Sequence, residues 1–163
     1  MNGESATSMS KRNAFLAIAV GAVGGGTVDL VVACVREGWD IPLYISAGLL
    51  GMRAVDGGAG IWLLGVFLHF VIAFSAASIY YLSSRRLPFL TEYPLLCGLF
   101  FGAAVQEVMN LVVLPLSGLH ARGPYHLDGL IRGLVVHMLL IGVPIAYSVR
   151  RFARYSKRGL PKT

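Results

Sequence analysis

Few residues of this chain have chemistry to offer, and they are regularly placed. Asp29 lies in "GAVGGGTVDLVVACV", His69 in "GVFLHF", Glu107 and Asn110 in "GAAVQEVMNLVV", and His137 in "GLVVH", each inside a long apolar run. A carboxylate or imidazole among aliphatic side chains can do three things. It can hydrogen-bond one helix to another, it can hold a proton or cation, or it can ligate a metal. Imidazole suits the second role because it titrates near neutral pH. His69, His137, Glu107 and Asp29 together would be a reasonable ligand set for zinc or iron, and two histidines on different helices can ligate haem axially. No tight ligand motif such as H-E-x-x-H is present. The expectation is therefore a site without a cofactor, with metal or haem as the alternative.

These residues must be positioned by helices, and the spacing says which faces they share. Side chains four apart lie on one helix face. Ala17, Gly21, Gly25 and Asp29 form one such stripe, and Gly65, His69, Ala73 and Ala77 a second. Gly98, Gly102, Gln106 and Asn110 form a third, with Ala103 and Glu107 on the adjoining stripe, and Gly133 precedes His137 by the same step. Small residues at this spacing let another helix approach closely. The polar residues should thus face protein, with the glycines closing helices around them. Asp29, His69, Glu107, Asn110 and His137 are expected to form one cluster.

The surroundings of the stripes name the solvent. The chain has 163 residues, 56% hydrophobic and 13% charged, where a soluble domain carries about 25% charged residues. Runs at 14–35, 59–82, 93–116 and 130–149 are long enough to cross a bilayer, which takes ~20 residues. "IPLYISAGLLGM" at 41–52 is too short and reads as an interfacial or re-entrant helix between the first two spans. Residues 1–12 are expected to be disordered, 13–150 to form one four-span domain, and 151–163 to be a basic tail. Orientation follows from the basic residues. Of the 14 Lys and Arg, ten (Lys11, Arg12, Arg85, Arg86, Arg150, Arg151, Arg154, Lys157, Arg158 and Lys162) fall on one side, and Arg36, Arg53, Arg122 and Arg132 on the other. Both termini are therefore expected in the cytoplasm. At ~1.5 Å per residue, all five polar residues lie ~9–15 Å below the outer helix ends, a costly place for charge at ~2.5–3.5 kcal/mol near a helix centre. The net charge of +6 is mostly this topology signal. Lipid headgroups suit the basic tail better than nucleic acid does, and no nucleic-acid partner is expected.

Several other features have plain readings. There is no nucleophile motif, no phosphate-cradling loop and no paired cysteine, so an enzyme is not expected. Cys34 and Cys97 belong near opposite faces and should stay unpaired. His120 and His126 lie in an outer loop with Arg122 and Asp128. Pro115 should end the third helix and Pro144 kink the fourth, while Tyr80, Tyr81, Tyr93 and Tyr147 read as an aromatic belt at the inner interface. The segment 21–32 aligns without gaps on 102–113, and "GVFLH" on "GLVVH", which suggests a duplication with a two-fold axis along the membrane normal.

The phrases "VMNLVVLPLS", "LLGVFLHF" and "GTVDLVVACV" resemble those of small four-span bacterial inner-membrane proteins of uncharacterised function, over residues 14–149. The resemblance implies an inner-membrane location and carries over no catalytic residue. The sequence thus predicts an all-α integral membrane four-helix bundle of accessory or structural role, whose partners are the bilayer and a further membrane protein or second copy. The alternative is a pocket in the outer half of the bilayer that binds or transports a cation or proton.

Overall fold

The computed structural model describes residues 11–120 and 126–158. Most of the expected disordered start, Arg122 and the last residues of the tail lie outside these. Among the described residues every element is helical. The chain runs through α1 (Lys11–Glu37), α2 (Ile41–Leu50), a 3₁₀ turn (Met52–Asp56), α3 (Ala59–Arg86), α4 (Phe89–Glu92) and α5 (Pro94–Val108). A π-helical turn (Met109–Val113) leads from α5 into α6 (Leu114–Leu116). Likewise α7 (Leu127–Val136) passes through a π-helical turn (His137–Gly142) into α8 (Val143–Arg158). Four continuous helices are long and apolar enough to cross a membrane: Arg12–Glu37, Ala59–Arg86, Pro94–Leu116 and Leu127–Ala153. Lys11 and Arg12 are helical, and the fourth helix runs on through residues 151–158.

The two π-helical turns have a common cause. Each stands just before a proline, Pro115 or Pro144. Proline has no N–H to give to the carbonyl four residues back and its ring crowds that carbonyl. A locally widened turn absorbs the misfit. Pro144 thereby leaves the Leu140 carbonyl without its usual donor, and this oxygen lies over Gly25, where a Cβ would stand 2.7 Å from it. The expected kink is a widened turn, placed to bring a backbone carbonyl against a glycine of another helix.

The fourth helix is the centre of the bundle. Gly21 and Gly25 of α1 pack on Ile145 and Leu140, and on its other side Gly98 and Gly102 of α5 pack on Gly142, His137 and Met138. Gly133 lies against the Gln106 side chain, and Gly65 of α3 against the backbone of Pro42 in α2. Ser148 donates from Oγ to the Ala17 carbonyl at 2.7 Å, tying the fourth helix to the start of the first. The helix order is then α3, α1, fourth helix, third helix, with α3 and α5 making no extended contact. That order breaks the two-fold symmetry expected from the repeat. The first and fourth helices pack along their length, but their would-be counterparts, the third and second, stand apart. Tyr80 and Phe101 bridge the gap edge to face at 5.0 Å between ring centroids.

Tyr80 is therefore not a belt residue. It is 1% exposed and donates from Oη to the Leu90 carbonyl at 2.9 Å. Tyr81 is buried as well, whereas Tyr93 and Tyr147 are exposed. At the opposite end α2 lies against the first turns of α3: Pro42 meets Gly65, and Ser46 donates to the Ile61 carbonyl at 2.7 Å. Gly118 N–H closes this end by donating to the Gly48 carbonyl at 2.7 Å.

A paired substitution tests the close packing. Gly102→Ala would drive a methyl into the His137 carbonyl, and overpacking of this kind costs about 1–3 kcal/mol. Gly24→Ala meets nothing within 4 Å and should leave stability unchanged or raise it by up to ~1 kcal/mol through helix propensity. Thermal unfolding of both variants in detergent should show a lower Tm for the first only.

Candidate functional site

A cavity of about 350 Å³ occupies the gap between the second and third helices. α2 roofs it with Tyr44 and Ile45, α3 contributes Ile72, and the third helix contributes Val105, Met109 and Val113. On the wall formed by α1, α3 and the fourth helix it carries Asp29, His69 and His137. Its volume falls in the ~300–1,000 Å³ range of small-molecule sites, and so does its make-up, apolar with a few convergent polar groups.

Each imidazole is held by a backbone carbonyl, which fixes the position of its proton. His69 Nε2 lies 2.9 Å from the Gly26 carbonyl oxygen. Because a carbonyl only accepts, Nε2 carries a hydrogen and donates. The ring is also 5.5 Å from Phe70 in an edge-to-face arrangement. His137 Nδ1 in the same way donates to the Gly133 carbonyl one turn back, at 3.0 Å. The first bond joins two helices and the second stays within one. Each ring keeps its other nitrogen.

Asp29 is different. It is 7% exposed, and its nearest partner is His69, with Oδ2 4.0 Å from Nε2. That is an electrostatic separation, too long for a hydrogen bond, and His137 lines the same cavity. Among the described residues nothing donates a hydrogen bond to Asp29, and no buried side-chain nitrogen or oxygen is sealed off without a partner. The carboxylate therefore keeps its opening to the cavity. A buried carboxylate without a donor is costly. The chemistry it invites is a proton, or an N–H donor entering the cavity.

The remaining expected members fall elsewhere. Asn110 is buried in the π-helical turn Met109–Val113 but is not on the cavity wall. Glu107 is exposed on the outside of the bundle. The Gly98–Gly102–Gln106 stripe faces the fourth helix, and one residue beyond Gln106 is ~100° further round, enough to turn Glu107 outward. The polar cluster is thus Asp29, His69 and His137. Among the described residues no group of three or more His, Cys, Asp or Glu is placed to hold a metal ion, and Cys34 and Cys97 are free thiols. Ser148 and Gln106 are among the structural polar residues that the sequence did not single out. Ser148 had no glycine stripe to flag it, and Gln106 was visible only as a stripe member. Both are buried.

Comparison with family models, with curated proteins and with solved structures gave no match. The site's own geometry carries the functional reading.

The two histidines should differ in mutational cost. His69→Ala removes an interhelical bond and leaves the partly buried Gly26 carbonyl without that donor, which should cost ~1–3 kcal/mol. His137→Ala removes only an i−4 bond within its own helix and should cost less. Chemical or thermal unfolding of the two variants side by side gives the order.

Proposed function

We propose that this chain is a multi-pass inner-membrane protein whose lateral cavity binds an amphiphile with a cationic, N–H-donating head. Both termini lie on the cytoplasmic side, and α2 is a re-entrant helix at the opposite face. Four helices with mean hydropathy of 1.7–2.0 over their best windows support the membrane setting. So does the apolar outer surface, where Leu63, Phe67, Phe100 and Leu111 are all more than half exposed. The asymmetry of Lys and Arg supports the orientation. The contact of Pro42 with Gly65, in the second turn of α3, favours a re-entrant α2 over one lying in the interface plane.

The observation that carries the ligand class is the Asp29 carboxylate, buried and without a hydrogen-bond donor, on the wall of an otherwise apolar cavity. An ammonium head would supply charge and hydrogen bonds together. The aliphatic lining would take the tail, and the separation of α3 from α5 gives a way in from the side. His69 and His137, anchored by their backbone bonds, would orient towards the head without having to move.

One observation favours a purely structural reading of part of the cluster. The His69 bond to Gly26 joins α1 to α3, as polar residues in an accessory bundle would. Asp29 fits that reading poorly, because it receives no such bond. Thermal unfolding in detergent separates the two. Dodecylamine should raise the Tm of the wild type, by an amount corresponding to ~2.7 kcal/mol at a hundredfold excess over Kd, while dodecanol and dodecanoate should not. Asp29→Asn should stay folded and lose the amine response. Equal responses to all three amphiphiles, or an Asp29→Asn variant that responds like wild type, would remove the proposal.

A further inference from the structure

The gap between the second and third helices holds another cavity, at the end away from α2. It has a volume of about 470 Å³ and is bounded by the last turns of α3, by α4 and by the first turns of the third helix. The rings of Tyr80, Phe89, Tyr93, Phe100 and Phe101 line its wall. Two bonds fasten α4 as one side of it. Tyr80 donates from Oη to the Leu90 carbonyl at 2.9 Å, and Arg150 of the fourth helix donates from Nη1 to the Glu92 carbonyl at 3.4 Å. The cavity is therefore part of the folded bundle.

Its polar groups gather at one end. Phe100 and Phe101 lie two turns into the third helix, whereas Ser83 and Tyr93 line the end next to the connection from α3 to α4. Ser83 is half-buried, and its hydroxyl has no hydrogen bond to a described residue. At ~100° per residue, Arg86 stands about 60° round the helix from Ser83, beside it, and Arg85 about 160° round, nearly opposite. Both guanidinium groups are exposed and make no ion pair or hydrogen bond among the described residues. Glu92 of α4 is exposed and does not line the cavity. A free hydroxyl and an unpaired cation thus stand at the mouth of an otherwise aromatic and aliphatic chamber.

We propose that this cavity is a site for an anionic phospholipid, its phosphate held by Ser83 and Arg86 and one acyl chain lying along Phe100 and Phe101. The proposal rests on the membrane reading above and is independent of the ligand of the Asp29 cavity. The planar fork of a guanidinium matches a phosphate, and the Ser83 hydroxyl adds a donor. Inorganic phosphate would leave the aromatic wall uncovered, so the phosphate is that of a lipid. The two cavities differ in the charge they accept. A cationic head suits the carboxylate of Asp29 and is repelled by Arg86, and an anionic head has the reverse preference.

Cys97 lines the same cavity and serves as the reporter. In a Cys34→Ala background in detergent micelles, dioleoylphosphatidylglycerol should slow the alkylation of Cys97 by N-ethylmaleimide about tenfold at roughly ten times its Kd. Dioleoylphosphatidylcholine and inorganic phosphate should leave the rate unchanged. Arg86→Gln should lose the protection, and Arg85→Gln, with the same change of charge, should keep it. Equal alkylation rates of the two variants and the parent without lipid show that both variants fold. No protection, equal protection by the two lipids, protection by inorganic phosphate alone, or the same response from Arg85→Gln and Arg86→Gln would overturn the proposal. Carbonate extraction of native membranes separates this failure from that of the membrane reading. Protein retained in the pellet but not protected by lipid removes only the site, whereas protein washed out removes the membrane reading and the site with it.

Discussion

The structure depends on one constraint, the fourth helix being gripped on two sides by glycines. Gly21 and Gly25 bring α1 onto Leu140 and Ile145, and Gly98 and Gly102 bring α5 onto Gly142, His137 and Met138. Without side chains at these positions, backbone meets backbone, close enough for weak Cα–H···O contacts in addition to dispersion. The grip leaves the second and third helices apart. Their separation, roofed by α2 at one end, is the cavity. Site and packing have one origin: Gly25 and Asp29 lie on the same stripe of α1, one turn apart.

The π-helical turns serve the same arrangement. Asn110 and His137, two of the polar residues that stand out in the sequence, each lie in one of them. Wide turns of this kind are frequent at functional sites. Here a proline follows each, and in the fourth helix the widened backbone sets the His137, Leu140 and Gly142 carbonyls against Gly102, Gly25 and Gly98. His137 opens its turn, so its backbone lies on Gly102 while its ring lines the cavity. One residue thus serves both packing and site.

Much of this was legible in the residues. Four apolar runs gave four helices, and the four-residue spacing of small and polar side chains placed Asp29, His69 and His137 on inward faces. Stripe arithmetic is accurate only to about one residue, or ~100° of rotation. Glu107, on the stripe beside Gly102, fell on the wrong side of that margin. The reading of Tyr80 as a belt residue failed for a different reason. Its position near a helix end says nothing about the α4 turn folding back to receive its hydroxyl. The apparent duplication predicted a symmetric bundle. Similar helices need not make similar contacts when the glycines that decide them differ: α3 uses its Gly65 for α2, whereas Gly133 receives the side chain of Gln106.

The central claim is that Asp29 is unsatisfied by the protein because a ligand completes it. The most direct test is mass spectrometry of the small molecules that co-purify with the protein from native membranes, wild type beside Asp29→Asn. The expected result is a nitrogen-bearing amphiphile, near stoichiometric in the wild type and depleted in the variant. The same lipids in the same amounts from both proteins would contradict the claim and leave Asp29 without a ligand.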